Sequence, residues 1–229
     1  MDYSYLKDNY VTLLEDIKRC CVNCEKNFDD IKIVAVSKTF PSEIIKEVYN
    51  LGHRDFGENR VQELEGKYDE LKELDIKWHL VGHLQTNKVK YIIDYVSLIH
   101  SVDSVKLAEE IDSRAKAKNK RVDVLVQVNT SDEMQKSGCE VNEAMSLCKS
   151  ISGFENIVLK GLMTIGKFTD DTEIIRENFR TLKNLYDDIK VDVQSFEYLS
   201  MGMTSDYEIA IEEGANMLRI GSAVFGKRS

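Results

Sequence analysis

Lys38 closes the tetrapeptide Val36-Ser37-Lys38-Thr39, directly after an apolar, β-rich run. A primary amine at the end of a buried strand is partly desolvated, which brings its neutral, nucleophilic form within reach. That form condenses with aldehydes. An exposed lysine finishing a strand fits the same four residues. Further along, Ser200-Met-Gly-Met-Thr204-Ser205-Asp206-Tyr207-Glu208 has the S-x-x-E spacing of a capping box at Ser205 and Glu208, with Asp206 suited to the positive end of a helix. The free N–H groups of such a terminus bind anions, although an ordinary capped helix has the same pattern. Leu218-Arg219-Ile220-Gly221-Ser222 adds a glycine that admits close backbone approach and a serine hydroxyl. An arginine on an otherwise apolar strand is costly unless it is ion-paired or meets a ligand.

Two other patterns carry no such chemistry. His79 and His83 form H-x-x-x-H, but they flank a strand, and four strand residues span about 13 Å, too far for one metal ion. Gly161 to Lys167 nearly matches a phosphate loop, yet Phe168 stands where the metal-binding hydroxyl belongs, and Leu162, Met163 and Ile165 suit a strand.

The elements that must position these residues alternate regularly. Strand-like runs occupy Ile31–Val36, Arg54–Gly57, Lys77–Gly82, Ser97–Val102, Val122–Asn129, Ile157–Ile165, Phe196–Ser200 and Met217–Gly221. Helix-period stretches lie between them, among them Leu107, Ala108, Ile111 and Ala115, and Ile175, Phe179, Leu182 and Ile189. Pro41 before one helix and Gly52 after it mark its ends. Eight strand-plus-helix units predict an α/β fold, a single (β/α)8 TIM-type barrel over residues 1–229. Residues 1–28 form an extra N-terminal helix (Tyr10, Leu13, Leu14, Ile17), expected to cap one end. Barrel chemistry sits at the C-terminal ends of strands, where Lys38, Asn59, His83, Ser200 and Arg219 through Ser222 would gather.

Composition narrows the setting. The net charge of -9 argues against nucleic acid, and the basic run Lys116, Lys118, Lys120, Arg121 suits a helix terminus. No apolar stretch reaches membrane length and the first residues lack a signal-peptide pattern, so a cytoplasmic protein is expected. Five cysteines, three clustered at Cys20, Cys21 and Cys24, read as reduced thiols rather than as a metal site. The charged helical faces offer no oligomeric seam, and a monomer is the default.

Several segments, in order, resemble the pyridoxal phosphate homeostasis proteins, which are related to the N-terminal barrel of alanine racemase. They are Val34-Ala-Val-Ser-Lys-Thr39, Phe56-Gly-Glu-Asn-Arg-Val-Gln-Glu63, Trp78-His-Leu-Val-Gly-His-Leu-Gln-Thr-Asn-Lys88, Ile99-His-Ser-Val-Asp103, Gly161-Leu-Met-Thr164, Leu199-Ser-Met-Gly-Met-Thr-Ser-Asp206 and Arg219-Ile-Gly-Ser-Ala-Val-Phe-Gly226. The resemblance implies pyridoxal 5′-phosphate held as an internal aldimine on Lys38. It implies Ser200, Thr204, Gly221 and Ser222 around the cofactor phosphate, Arg219 facing the pyridine nitrogen and Asn59 near the ring. Phe40, Arg60 and Gly166-Lys167 depart from the family pattern. A cation opposite the pyridine nitrogen disfavours its protonation and weakens the ring as an electron sink. Alanine racemase also draws a catalytic tyrosine from a C-terminal domain that is expected to be missing here. The implied role is therefore a carrier in cofactor homeostasis without chemistry of its own, with apo-enzymes as recipients. A racemase using His83 or a cysteine as second base is the alternative, and a barrel enzyme acting on an unrelated phosphorylated metabolite is a third reading.

Overall fold

In β1 (Lys32–Val36), side chains alternate between two cores. Val34 and Val36 pack with Val81, Leu98, Leu125, Met163 and Met217, whereas Ile33 and Ala35 join a much larger cluster that includes the helices. Such alternation follows from the two-residue period of a strand covered on both faces. It defines a barrel interior and a surrounding shell of helices.

The computed structural model describes residues 3–131, 133 and 136–226. After α1 (Ser4–Asn23) and β1 come α2 (Ser42–Asn50), β2 (Asp55–Glu58), α3 (Val61–Leu71), β3 (Lys77–Leu80) and α4 (Val89–Ile92). Then follow β4 (Val96–Val102), α5 (Val105–Ala117), β5 (Val122–Asn129), β6 (Cys139–Glu140) and α6 (Val141–Ser152). The series ends with β7 (Ile157–Met163), α7 (Thr172–Lys190), β8 (Tyr198–Ser200), α8 (Tyr207–Glu212), β9 (Met217–Ile220) and α9 (Ser222–Phe225). All pairings are parallel, and the ring runs β1-β2-β3-β4-β5-β7-β8-β9. It closes because β1 pairs with both β2 and β9, Ala35 lying beside Phe56 and Val34 beside Arg219. The expected TIM-type (β/α)8 barrel is therefore the fold.

The eight expected runs all contain a barrel strand, with ends shifted by a few residues. Strand β6 lies outside the ring, pairing Cys139 with Val128 at the end of β5, and two residues are too few to show alternation in a sequence. The predicted apolar faces of α5 and α7 are buried, as are Ile44, Ile45 and Val48 of α2. Among the described residues no helix is long and apolar enough to cross a membrane. All five cysteines are free thiols, and burial pushes Cys139 and Cys148 up to about 12, which keeps them unreactive.

Helix α1 departs from its expected place. Instead of capping an end of the barrel, it packs along the outer shell against α2, α8 and α9. Leu6, Leu13 and Ile17 are buried there, Asn9 donates to the Val224 carbonyl, and Cys20 donates to that of Glu208. Helices α8 and α9 have six and four residues, too short to cover their strands, and α1 supplies the missing apolar surface.

Gly161, part of the rejected phosphate-loop match, has a structural reason instead. Its φ is +149°, and a Cβ added there would lie 1.8 Å from the Tyr198 carbonyl oxygen of the paired strand β8. Gly161→Ala should therefore destabilise the barrel by about 3 kcal/mol, as expected for overpacking with no room to relax. Urea unfolding followed by circular dichroism measures this, and a change under about 0.5 kcal/mol would contradict the close approach.

Candidate functional site

Strand parity and the loops after the strands set the site. Lys38 lies two residues past β1, in a turn closed by a hydrogen bond from the Phe40 N–H to the Ser37 carbonyl, 3.0 Å. Thr39 follows in the left-handed region at φ +71°, which is uncommon for a β-branched residue and needs outside support. Helix α3 gives that support. The Glu63 carboxylate accepts from the Thr39 N–H at 3.0 Å, and the Lys67 ammonium donates to the Ser37 carbonyl at 2.8 Å.

Beneath this turn lies a buried charge pair. Lys67 Nζ reaches Glu58 Oε1 at 2.6 Å, and the Ser37 hydroxyl donates to the same oxygen at 2.6 Å. Burial raises the Glu58 carboxyl above its ordinary value, against the opposing pull of Lys67 and Ser37. Its second oxygen is buried without a hydrogen-bond partner among the described residues.

On the neighbouring strand β9, Arg219 projects into the interior, on the same face as Met217. Nη1 donates to the Ser200 hydroxyl at 2.8 Å and Nη2 to the Thr164 carbonyl at 2.7 Å. These neutral acceptors use two of the five guanidinium N–H donors. No carboxylate forms an ion pair with it among the described residues, so the salt-bridge reading of this arginine is not what the fold builds. Burial lowers Arg219 to about 10, partly countered by Asp206, and it stays cationic at neutral pH.

A cavity of about 640 Å³ joins these walls, lined by Lys38, Asn59, Thr204, Arg219, Gly221 and Ser222 among others. Ser205 adds a hydroxyl beside Thr204 and Ser222, and Val36, Val81 and Ile165 supply apolar surface. Asn59 is held close by Gly82, where a Cβ would lie 2.2 Å from the Asn59 carbonyl oxygen. Gly202, at φ +92°, turns the chain after β8 where a Cβ would strike Ala210, and Thr204 Oγ1 accepts from the Ala223 N–H at 3.3 Å. This bond joins the two hydroxyl-bearing loops into one wall.

Six of the seven expected contact residues thus meet at one cavity, and Ser200 does not line it. Ser200 is fully buried one layer below, between Arg219 and His100. The expected capping box is also absent. Helix α8 starts at Tyr207 without a side-chain cap, and Asp206 turns back to accept from the Met203 N–H at 2.6 Å. The anion-suited wall is therefore made of hydroxyls and loop backbone. His83 lies outside the cavity, more than half exposed and 3.8 Å from Asp103. No cysteine lines the cavity, and no cluster of metal-binding side chains occurs among the described residues. Glu63 and His100 carried no signal in the sequence beyond their place in the family-like segments, and Lys67 lies outside those segments, since each acts through contacts between distant elements.

Fold and site define a parallel (β/α)8 barrel with an amine, a buried cation and a hydroxyl wall converging at its C-terminal mouth. The family model "Alanine racemase, N-terminal domain" matches residues 15–229. A relative from Aquifex aeolicus (strain VF5), "Pyridoxal phosphate homeostasis protein", is 43% identical over 94% of this chain and 95% of its own length. A solved structure from Bifidobacterium adolescentis, described as an unknown protein, superposes with a TM-score of 0.92 at 33% identity, covering 98% of this chain and 97% of that one. PipY of Synechococcus elongatus PCC7942, solved with PLP bound, gives a TM-score of 0.81 at 31% identity, covering 92% and 99%. The chain belongs to the pyridoxal phosphate homeostasis protein family, built on the alanine racemase N-terminal domain.

Replacing Lys67 with Met would leave the Glu58 carboxylate and the Ser37 carbonyl without their cationic partner. Lys67→Met should cost about 3 kcal/mol of stability at neutral pH, as for other broken buried pairs. Chemical denaturation reads this directly.

Proposed function

We propose that the chain holds pyridoxal 5′-phosphate in this cavity as a Schiff base on Lys38 and takes part in its homeostasis without turning over a substrate. The observation that carries this reading is the meeting of Lys38, Arg219 and the Thr204–Ser222 wall in one cavity. The fit is chemical as well as spatial. A flat ring with a phosphate arm and an aldehyde matches apolar walls, a hydroxyl-rich pole and an amine. Bound pyridoxal phosphate supplies the aldehyde and, in enzymes, an electron sink.

In this reading the Lys38 amine adds to the aldehyde carbon and the oxygen leaves as water. Thr204, Gly221 and Ser222 hold the phosphate, Asn59 lies beside the ring, and Arg219 faces the ring nitrogen. A fixed cation at that nitrogen keeps it unprotonated and limits carbanion stabilisation. The names of the relatives and the PLP in the PipY structure support the cofactor and the homeostatic role. In this reading apo-enzymes that need the cofactor are its recipients.

Borohydride reduction of the loaded protein, followed by peptide mapping, should place a pyridoxyl group on the peptide containing Lys38, and Lys38→Ala should abolish it. An adduct absent from that peptide removes the cofactor assignment. The claim of no turnover has its own check. Alanine and serine incubated with the loaded protein in deuterated water should keep their α-protons, and exchange that depends on Lys38 would point to a racemase instead.

A further inference from the structure

Arg219 is the last member of a line of polar side chains that crosses the barrel interior. Asp55, His79, His100, Ser200 and Arg219 come from β2, β3, β4, β8 and β9. Asp55 Oδ1 lies 3.0 Å from His79 Nε2, and His79 Nδ1 lies 3.0 Å from His100 Nε2. His100 Nδ1 lies 3.3 Å from the Ser200 hydroxyl, which accepts from Arg219 at 2.8 Å. Asp55 opens at the other pole, in a separate cleft beside Lys32 and Lys77.

The chemistry of the groups fixes every proton in this line. Desolvation raises Asp55, but the hydrogen bond from His79 and the nearby Lys32 and Lys77 ammonium groups outweigh that and hold it at about 2. It is a carboxylate and can only accept, so His79 carries its proton on Nε2. Both imidazoles are buried, and desolvation lowers each below the usual histidine value, His100 well below. Each is therefore neutral with one N–H. With Nε2 protonated, His79 Nδ1 is bare and accepts from His100 Nε2–H. His100 Nδ1 is then bare in turn and accepts from the Ser200 O–H. This leaves the Ser200 lone pairs for Arg219. Every donor points from Arg219 towards Asp55, and the aligned dipoles run between a cation and an anion, which strengthens each bond.

We infer that Asp55 is a positioning residue for the cavity at the opposite end of the barrel, orienting the Arg219 guanidinium through His79, His100 and Ser200. This rests on the reading that Arg219 faces the cofactor ring. It also gives Ser200 a part other than phosphate contact. With Asp55 neutral, the line loses the charge that selects its direction. A His100 proton on Nδ1 would then compete with Arg219 for the Ser200 oxygen, and the guanidinium would lose its fixed edge.

The wild-type chain with 15N-labelled histidine tests the line itself. Long-range 1H–15N spectra should show His79 and His100 as neutral Nε2–H tautomers, and an imidazolium or an Nδ1–H form at either overturns the inference. Pyridoxal phosphate labelled at its ring nitrogen tests the positioning. Asp55→Asn should move the ring-nitrogen resonance and weaken retention about fivefold, the low end of coupling between linked sites. Ser200→Ala breaks the line nearer the cavity and should move the same resonance while leaving the 31P signal of the phosphate in place. A ring nitrogen that does not move in a folded variant, or a 31P shift without it, overturns the inference. If the wild type retains no pyridoxal phosphate, the cofactor reading fails and with it the positioning role; the histidine spectra then report only whether the line exists.

Discussion

A guanidinium buried in the middle of a barrel has to be solvated by the protein, and here it is solvated by neutral groups. Arg219 is almost wholly buried, yet its two fixed partners are a hydroxyl and a backbone carbonyl. Losing water costs a charge several kcal/mol unless hydrogen bonds and nearby dipoles replace it. Ser200 can serve because His100 takes its proton, and the Thr164 carbonyl can serve because β7 ends where it does. A carboxylate in this position would have satisfied the cation more completely, but it would also have neutralised it towards the cavity. The arrangement keeps positive charge available to a ligand.

The second support is local to Lys38. Lys38 sits between a strand end and a left-handed threonine, a conformation that the chain would abandon without help. Helix α3 supplies that help through Glu63 and Lys67. Lys67 in turn is kept in a nearly dry place by Glu58. The cation and the amine are thus set by different helices and strands, and the cavity is as rigid as the barrel that joins them.

Much of this was legible in the residues. The apolar, β-rich run Ile31–Val36 and the helical spacing of Leu107, Ala108, Ile111 and Ala115 depend on neighbours a few positions away, and both came through in the fold. Lys38, Gly221 and Ser222 could be placed at the mouth because strand ends fix where the chain turns. What failed depended on competition between groups. Ser205 and Glu208 have capping-box spacing, but Asp206 took the Met203 N–H first and the helix began later. Ser200 lies on the expected strand, yet its parity turns it inward under Arg219 and away from the cavity. The histidine line was invisible because its members are 19 or more residues apart and meet only when the sheet closes.

Closure also has a temporal side. The seam between β1 and β9 joins the first strand to the last among the described residues, and α1 seals that seam by lying on α2, α8 and α9. During synthesis β1 must therefore wait, one edge bare, until β9 has left the ribosome. Parallel pairing over such separations is slow and leaves unpaired edges open to wrong partners. The half-built barrel has neither its Arg219 wall nor its hydroxyl loops, so a nascent chain carries Lys38 long before the cavity around it exists.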